Sequence, residues 1–450
     1  MKTPKEEPPS LVPATGKQGG EACAIQAWAE PSVWTEPMLM ALERGIKGGK
    51  WFSLIDKVWN PRNLESSWHK VRRNGGAAGP DGCSVSHFER EAAVRLEKLG
   101  KQLREGTYTA RPVRRTWIEK PGSAEKRPLG IPDVSDRIVQ GALRHVLEPI
   151  FEHTFSEHSY GFRPWRGAKD ALRRVDGLLK EGRTWVVDAD IKGYFDTIPH
   201  GRLMDCLRQE VSDGRVLALV EEYLKAGVMD GLNGWSPGER GTPQGAVISP
   251  LLANIYLNKL DHLMTAHGYA MTRYADDFVI LTNSQEEAEE ALKLLRTWTT
   301  SRELTLHPDK TRLTDASVKG QGFEFLGYRF EAGSKWPRRK SLQKLRDTIR
   351  ARTPRLNGGS LEAIITGVNS VLRGWFGYFK HSNARTMPAI DGFVRRRLRS
   401  MLRRRAGKEG TMKNGSDYQH WPNNFFDAHG LFCLTAARER HCQSRQRANC

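Results

Sequence analysis

Two neighbouring aspartates, Asp276 and Asp277, lie where a chemical role is expected. The segment that contains them, residues 269–281, has the pattern of two strands flanking a tight turn. Asp is common in turns, so turn chemistry alone is one explanation. A second acid beside the first is harder to explain, because adjacent negative charges repel and a bound cation relieves that repulsion. The pair therefore indicates a cation-binding role.

A second acidic strand end supports the same interpretation. Residues 185–189 form a short apolar segment typical of a strand, and Asp188 and Asp190 lie at its end. Both carboxylates share one face if the strand stays extended, because side chains alternate with a period of two. An acidic strand end beside an acidic hairpin can hold two Mg²⁺ ions about 3.5–4 Å apart. Oxygen ligands favour Mg²⁺ over zinc.

The segments that must position these acids alternate between strands and helices. Residues 199–211 and 285–301 have helical patterns, whereas residues 323–330 have the pattern of a single strand. After residue 341 the chain is mostly helical. This order predicts an α+β body, and the length of 450 residues predicts about two to four domains.

The charge of the chain is unevenly distributed. Residues 335–450 contain 25 Lys and Arg against 7 Asp and Glu, whereas the rest of the chain contains 46 against 45. A basic block of this kind favours a polyanionic partner through counterion release, so we expect a nucleic acid. The alternative is a solvated charged surface that serves solubility.

The N-terminus predicts a tail and not a membrane or export signal. The first 25 residues are rich in Pro, Gly and charge and lack the apolar middle of a signal peptide. We expect residues 1–45 to be a disordered tail and the protein to be cytoplasmic, in a bacterial cytosol. No run of 18 apolar residues occurs, so no membrane partner is expected. The cysteines are scattered along the chain, which argues against a disulfide framework.

The acidic segments resemble the metal motifs of reverse transcriptases. Tyr-Ala-Asp-Asp at residues 274–277 resembles the central motif, and Asp190 followed five residues later by Phe195 resembles the first. The resemblance implies a right-hand polymerase of fingers, palm and thumb that copies RNA into DNA. It implies Asp190 and Asp276 as principal ligands of two Mg²⁺ ions, with Mn²⁺ as an alternative, Asp277 as a weaker ligand and the Ile191 carbonyl as a further contact. Phe195 would be the steric gate against the ribose 2′-hydroxyl; its alternative role is that of a core aromatic.

Further motifs follow in the order found in that family. Lys120 and Arg127 match two cations of the fingers hairpin that bind the incoming nucleotide's phosphates, a role suited to Arg. Gln244 matches a loop that contacts nucleotide and template. Lys310 matches a general acid toward pyrophosphate, and residues 325–328 resemble the primer-grip strand.

Three longer stretches resemble the group II intron-encoded reverse transcriptases, also called maturases. They are the loop at residues 74–82, Ser-Tyr-Gly-Phe-Arg-Pro at 159–164, and the segment 241–257. The resemblance implies that the protein binds its group II intron RNA to assist splicing and copies it into DNA for retromobility. It also implies an RNA template with a DNA primer, deoxynucleoside triphosphates and target DNA as partners.

The C-terminal helices fit the same family. Residues 388–405 have an apolar side, and Arg395, Arg396, Arg399 and Arg403 fall within about 100° of the opposite side, which predicts contacts to RNA phosphates. A solvated basic face is the alternative. The expected domains are the tail at 1–45, the N-terminal extension and fingers at 46–180, the palm at 181–335, the thumb at 336–385, and a helical, basic, maturase-type RNA-binding region at 386–450.

Two other functions compete with this interpretation. One is a domesticated reverse transcriptase in a defence system linked to CRISPR or abortive infection; the basic C-terminal part argues against it. The other is an RNA-binding splicing cofactor without polymerase activity. The intact motif at residues 274–277 and Asp190 argue against that alternative.

Overall fold

The computed structural model describes residues 27–46, 48–119, 126–231, 234–356, 358–407 and 416–448. The predicted tail at residues 1–45 lies outside the described residues as far as residue 26. From there it is wrong, because residues 29–42 belong to the core. Trp34, Leu39 and Leu42 are buried, and the indole Nε1 of Trp34 donates to the carbonyl of His145 at 2.8 Å. Burial of large apolar side chains stabilises this segment against the body.

The N-terminal half is mainly helical and shares one large core with the central sheet. Its first helices are α1 (Glu36–Arg44), α2 (Ile55–Val58), α3 (Pro61–Asn74), α4 (Val85–Arg90), α5 (Ala92–Glu105) and α6 (Val134–Glu152). Helix α6 is buried on nearly all sides, and α2 and α3 pack against it. It therefore supports the sheets that carry the candidate site.

The strands of the described residues form three sheets. They are β1 (Val113–Glu119), β2 (Lys126–Ile131), β3 (Trp185–Asp190), β4 (Val228–Asp230), β5 (Gly234–Ser236), β6 (Ala270–Tyr274), β7 (Asp277–Thr282), β8 (Arg312–Asp315), β9 (Phe323–Phe325), β10 (Tyr328–Glu331) and β11 (Ser334–Pro337). The sheet orders are β2-β1-β4-β5, β6-β7-β3-β8 and β11-β10-β9. The second sheet is antiparallel throughout and carries the acidic residues.

The next helices include those that cover the acidic sheet. They are α7 (Ala168–Lys180), α8 (Tyr194–Thr197), α9 (His200–Glu210), α10 (Gly214–Lys225), α11 (Ser249–Ala266) and α12 (Gln285–Ser301). Helix α11 packs on β6, and α12 packs on β3 and β7. The interior residues of β3 and β7 are mostly apolar and buried, and the carboxylates lie toward the strand ends.

The strand predicted over residues 323–330 is wrong in its middle. Leu326 and Gly327 have positive φ values of 47° and 84°, and they form a tight turn between β9 and β10. Glycine adopts this backbone region readily, which explains why the chain reverses here.

The C-terminal part has a second core of its own. Its helices are α13 (Arg339–Arg352), α14 (Leu361–Phe379), α15 (Thr386–Arg405), α16 (Ser416–His420), α17 (Asn423–Ala428) and α18 (Leu434–Ala448). Within the described ranges, every helix is too short or too polar to cross a membrane.

Candidate active site

The three candidate metal ligands converge at one edge of the acidic sheet. Strand pairing places Asp190 of β3 directly opposite Asp277 of β7. Tyr274 of β6 also pairs with Asp277, which leaves Ala275 and Asp276 as a two-residue turn. The register therefore brings together the two acidic segments that are 86 positions apart in the sequence.

The carboxylates at this edge disfavour one another's charge. Burial raises the pKa of Asp276, and the charge of Asp190 raises it further, while Arg127 and Arg273 oppose the shift. The pKa of Asp277 is raised to about 7, first by the protein atoms packed around it and then by Asp188 and Asp276, although its side chain keeps contact with solvent. A bound cation would relieve repulsion of this kind further.

The donor atoms at this edge fit a divalent cation whose coordination sphere is completed by oxygen atoms of the substrate. In the part of the chain that the structure describes, no group of three or more His, Cys, Asp or Glu side chains is placed so that it could hold a metal ion by itself. Mg²⁺ is commonly held by one or two carboxylates together with substrate phosphates, so a cage is not required. Ile191 can add a carbonyl. Ile191 pairs with Leu306 in an isolated β-bridge. The hydrogen bonds of this bridge are formed by the Asp190 carbonyl and the Lys192 N–H, so they do not use the Ile191 carbonyl.

Lys310 forms an ion pair with Asp190, which is one of the predicted metal ligands. Its Nζ is 2.6 Å from Oδ2 of Asp190, and most of its side chain is exposed. Next to this pair, Arg312 binds Oδ2 of Asp188 at 2.9 and 3.1 Å. The role of Lys310 as a general acid stays a prediction; the ion pair shows that its ammonium group reaches Asp190.

The loop that carries Gln244 connects the hairpin of β1 and β2 to the acidic sheet. The N–H of Gly130 in β2 donates to the Gln244 carbonyl at 2.6 Å. The Gln244 amide donates to Oδ2 of Asp196 at 3.1 Å. Arg127 is exposed on the same hairpin and acts electrostatically on Asp196 and Asp276. Lys120 lies outside the described residues.

Phe195 is half-buried beside the carboxylates. Its ring lies 5.7 Å from the ring of Tyr194, which is buried, and 6.5 Å from that of Phe162, which is exposed. One side of the Phe195 ring thus packs on the core and another faces an exposed aromatic ring. Its role as a steric gate stays a prediction.

The turn between β9 and β10 faces the site; the sequence resemblance pointed to residues 325–328 but predicted a strand there. The backbone of Leu326 faces the Asp277 carboxylate and opposes the rise in its pKa. The Tyr378 hydroxyl of α14 donates to the Leu326 carbonyl at 2.7 Å, so this turn joins Asp277 to a C-terminal helix. A Gly between two aromatic-rich strands was the available signal for a turn.

The predicted arginine stripe of α15 is wrong for two of its four members. Arg399 is 1% exposed; it donates to the Trp421 carbonyl at 2.8 Å and to Asn423 at 2.7 Å. Arg403 is also buried and pairs with Asp417 at 3.0 Å. A helical projection shows which side is polar but not what covers it.

The covering segment consists of α16 and α17, which fold back on α15. Arg395 is half-buried and lies 3.4 Å from Asp427 of α17. Arg396 is the exposed member of the four. A contact between Arg396 and RNA phosphate therefore stays a prediction, whereas Arg399 and Arg403 hold the C-terminal core together.

Comparisons with known proteins agree with this geometry. The family described as reverse transcriptase (RNA-dependent DNA polymerase) matches residues 118–330, and the group II intron, maturase-specific domain matches residues 342–419. Protein YkfC of Escherichia coli K12 is 37% identical over 321 residues, which cover 61% of this chain and 82% of that protein.

A second relative is the group II intron-encoded protein LtrA of Lactococcus lactis subsp. cremoris, 41% identical over 167 residues. That match covers 37% of this chain and 28% of LtrA. Telomerase from Candida albicans is a similar solved structure, with a TM-score of 0.41 and 12% identity over 75% of this chain and 68% of that one. A score this low carries no functional argument.

The two families adjoin in the order that the site and the basic C-terminal part require. The mixed sheets and helices form the right-hand polymerase fold, followed by a helical maturase domain. Neither alternative from the sequence is favoured by these matches. The chain belongs to the group II intron-encoded reverse transcriptases with a maturase domain, and is an RNA-directed DNA polymerase.

Proposed function

We propose that this chain copies its group II intron RNA into DNA at the sheet edge that carries Asp190, Asp276 and Asp277. The observation that carries the proposal is the pairing of Asp190 with Asp277 beside the turn that bears Asp276. Dependence on divalent metal follows from the family. We propose two Mg²⁺ ions, with Mn²⁺ as a substitute, held by these carboxylates and the Ile191 carbonyl. When bound, the ions supply activation of the primer 3′-hydroxyl and neutralisation of the leaving pyrophosphate.

The chain's own residues would bind and orient the deoxynucleoside triphosphate. Arg127 faces the acidic edge from the fingers hairpin, where its guanidinium can bind phosphate oxygens bidentately, and Lys120 is proposed for the same task. Gln244 is anchored through its carbonyl to β2, so its side chain can register the nucleotide against the template. Phe195 would exclude a 2′-hydroxyl, and Lys310 would donate a proton toward pyrophosphate.

The domain boundaries proposed from the sequence divide these tasks. Fingers (46–180) and palm (181–335) would hold the RNA template, the DNA primer and the nucleotide. The thumb (336–385) and the basic region (386–450) would bind intron RNA to assist splicing and would approach target DNA. The excess of positive charge after residue 335 supports this division, because it favours phosphate backbones. We propose the bacterial cytoplasm as the compartment in which these partners meet.

The test separates polymerisation from RNA binding. Asp276→Asn should abolish extension of a DNA primer on an RNA template, and circular dichroism should show an unchanged fold. Splicing of the intron RNA in the presence of the same variant should persist, because splicing assistance needs binding and not polymerisation. Primer extension by folded Asp276→Asn at the wild-type rate would refute the site.

A further inference from the structure

The turn that carries Asp276 has an unfavourable backbone conformation at the residue before it. Ala275 has a φ of 61°, in the left-handed region that residues other than glycine adopt at a cost in free energy. Such a conformation persists only where surrounding contacts fix it. The carbonyl of Ala275 accepts a hydrogen bond from Nη1 of Arg273 at 2.9 Å.

Arg273 is itself held rigidly. Its side chain is 1% exposed, and its Nε donates to Oδ1 of Asp261 at 2.8 Å. Nη1 of Arg273, which donates to the Ala275 carbonyl, also donates to Oδ1 of Asn254 at 2.8 Å. Asn254 and Asp261 lie two turns apart on α11, so one helix fixes the guanidinium at both ends. The planar fork of arginine allows these directed bonds to be made together.

A second element presses on the turn from another side. A Cβ on Gly161 would lie 2.2 Å from the Ala275 nitrogen, so this position has no room for a side chain. The Asn254 amide donates to the Gly161 carbonyl at 2.8 Å, and the Tyr160 N–H donates to the Arg273 carbonyl at 2.8 Å. The turn is therefore enclosed between the loop at residues 158–161 and the guanidinium.

We propose that Arg273 is a positioning residue for polymerisation: by holding the Ala275 carbonyl it fixes the direction in which Asp276 and Asp277 project, and so sets the affinity of the site for divalent metal. The inference rests on the metal-binding role given to these carboxylates in the proposed function. Arg273 is buried behind the turn and does not touch substrate. Its effect passes through the turn.

Arg273→Lys tests the geometry while it keeps the positive charge beside Asp261. A single ammonium group cannot bind Asp261, Asn254 and the Ala275 carbonyl with the same directions. Turnover in primer extension should fall about tenfold to a hundredfold, the range for a misplacement of about 1 Å at a reacting centre. The KM for the nucleotide and the affinity for primed template should stay near wild type. A purely structural defect would lower the amount of active enzyme without this split.

A direct readout of the metal site uses Mn²⁺ as the probe. The full-length protein is bound to an RNA template with a chain-terminated DNA primer and the next nucleotide, so that no turnover occurs. Titration of free Mn²⁺ by electron paramagnetic resonance should give a dissociation constant several-fold higher for Arg273→Lys. Asn254→Ala keeps the ion pair between Arg273 and Asp261, so it should shift the constant in the same direction by less. It decides the question if Arg273→Lys does not fold.

The matched control is Arg137→Lys. Arg137 is also buried and donates to the carbonyls of Pro132 and Ala77, but it lies in the fingers. The Arg137→Lys variant should have a lower melting temperature than the wild type and the same affinity for Mn²⁺.

The outcomes separate the two proposals. Inactive Asp276→Asn, together with Arg273→Lys and Asn254→Ala variants that bind Mn²⁺ and turn over like wild type, would overturn only the positioning role. A fully active Asp276→Asn variant would overturn the metal-binding role and the positioning role with it.

Discussion

The edge of the acidic sheet that carries Asp190, Asp276 and Asp277, here called the palm edge, differs from the C-terminal core in what surrounds its charged side chains. At the palm edge, Asp190 lies opposite Asp277, and burial, followed by the charges of Asp188 and Asp276, raises the pKa of Asp277. In the C-terminal core, Arg403 pairs with the buried Asp417, and Arg399 donates to a backbone carbonyl. The first region holds several carboxylates close together at a partly exposed edge, whereas the second encloses Arg399 and Arg403 among hydrogen-bond partners inside the protein.

This difference separates functional charge from structural charge. Like charges held together by a rigid sheet are unfavourable unless a ligand of opposite charge arrives, so their persistence indicates a binding role. A charge fully paired inside the fold has no bond left to offer a partner. The number of arginines on a helix therefore says less about nucleic-acid binding than their partners do.

The sharpest way to break the comparison is at two acids of one strand. Asp190 and Asp188 lie two positions apart on β3, and each has a basic partner: Lys310 is 2.6 Å from Asp190, and Arg312 is 2.9 Å from Asp188. Of the two acids, Asp190 is the one that lies opposite Asp277. Asp190→Asn should lower the rate of primer extension by about 10²–10³-fold, because a charge at the reacting oxygens is lost. Asp188→Asn should stay within about fivefold of wild type, since a partly exposed ion pair contributes about 0–1 kcal/mol. Single-turnover rates at saturating Mg²⁺ measure both. Equal losses would show that the position opposite Asp277 does not distinguish Asp190 from Asp188.

Removal of a paired charge should affect stability and not function. Arg403→Gln leaves the carboxylate of Asp417 buried without its cation, which should lower the free energy of unfolding by about 3–5 kcal/mol. Arg396→Gln, on the exposed side of the same helix, should change it by less than about 0.5 kcal/mol. Urea titrations followed by circular dichroism measure both values. Similar stabilities for the two variants would contradict the structural role of Arg403.

The same two variants should exchange their order when RNA binding is measured. If Arg396 binds a phosphate, Arg396→Gln should flatten the slope of log affinity against log salt by about 0.7–0.9. Folded Arg403→Gln, assayed below its melting temperature, should keep the wild-type slope. Filter binding of intron RNA at several salt concentrations gives both slopes. An unchanged slope for Arg396→Gln would mean that other cations of the basic region contact the RNA.

The sequence predicted the palm edge well because its determinants are local. The period of a strand and the length of a turn suffice to place Asp190 and Asp276 at strand ends, and the motif order did the rest. The stripe on α15 failed because Asp417 and Trp421 return over it only in the tertiary structure, which a helical projection does not contain. The turn at Leu326 is an intermediate case, since its glycine was visible but was outweighed by the surrounding apolar residues.

A third buried cluster extends the comparison to a group that is satisfied by hydrogen bonds in its neutral form. Nε2 of His145 lies 2.7 Å from Nζ of Lys70, and Nδ1 lies 2.7 Å from Oδ1 of Asn63. An ammonium group can only donate, so Nε2 accepts and Nδ1 carries the proton. Burial, and then the charge of Lys70, lowers the pKa of His145 from 6.5 to about 4.

This shift predicts a loss of stability in mild acid. Between pH 6.5 and 4 the unfolded chain protonates His145 while the folded chain does not, so the free energy of unfolding should fall as the pH is lowered through this window. The slope contributed by one group is at most about 1.4 kcal/mol per pH unit. His145→Gln, whose Oε1 can accept from Lys70, should remove this contribution and flatten the curve. The difference between wild-type and variant curves isolates His145 from other groups that titrate. His69→Gln is the control, because His69 is exposed on α3 beside Glu65. Parallel wild-type and His145→Gln curves across this window would show that the buried histidine is not held neutral.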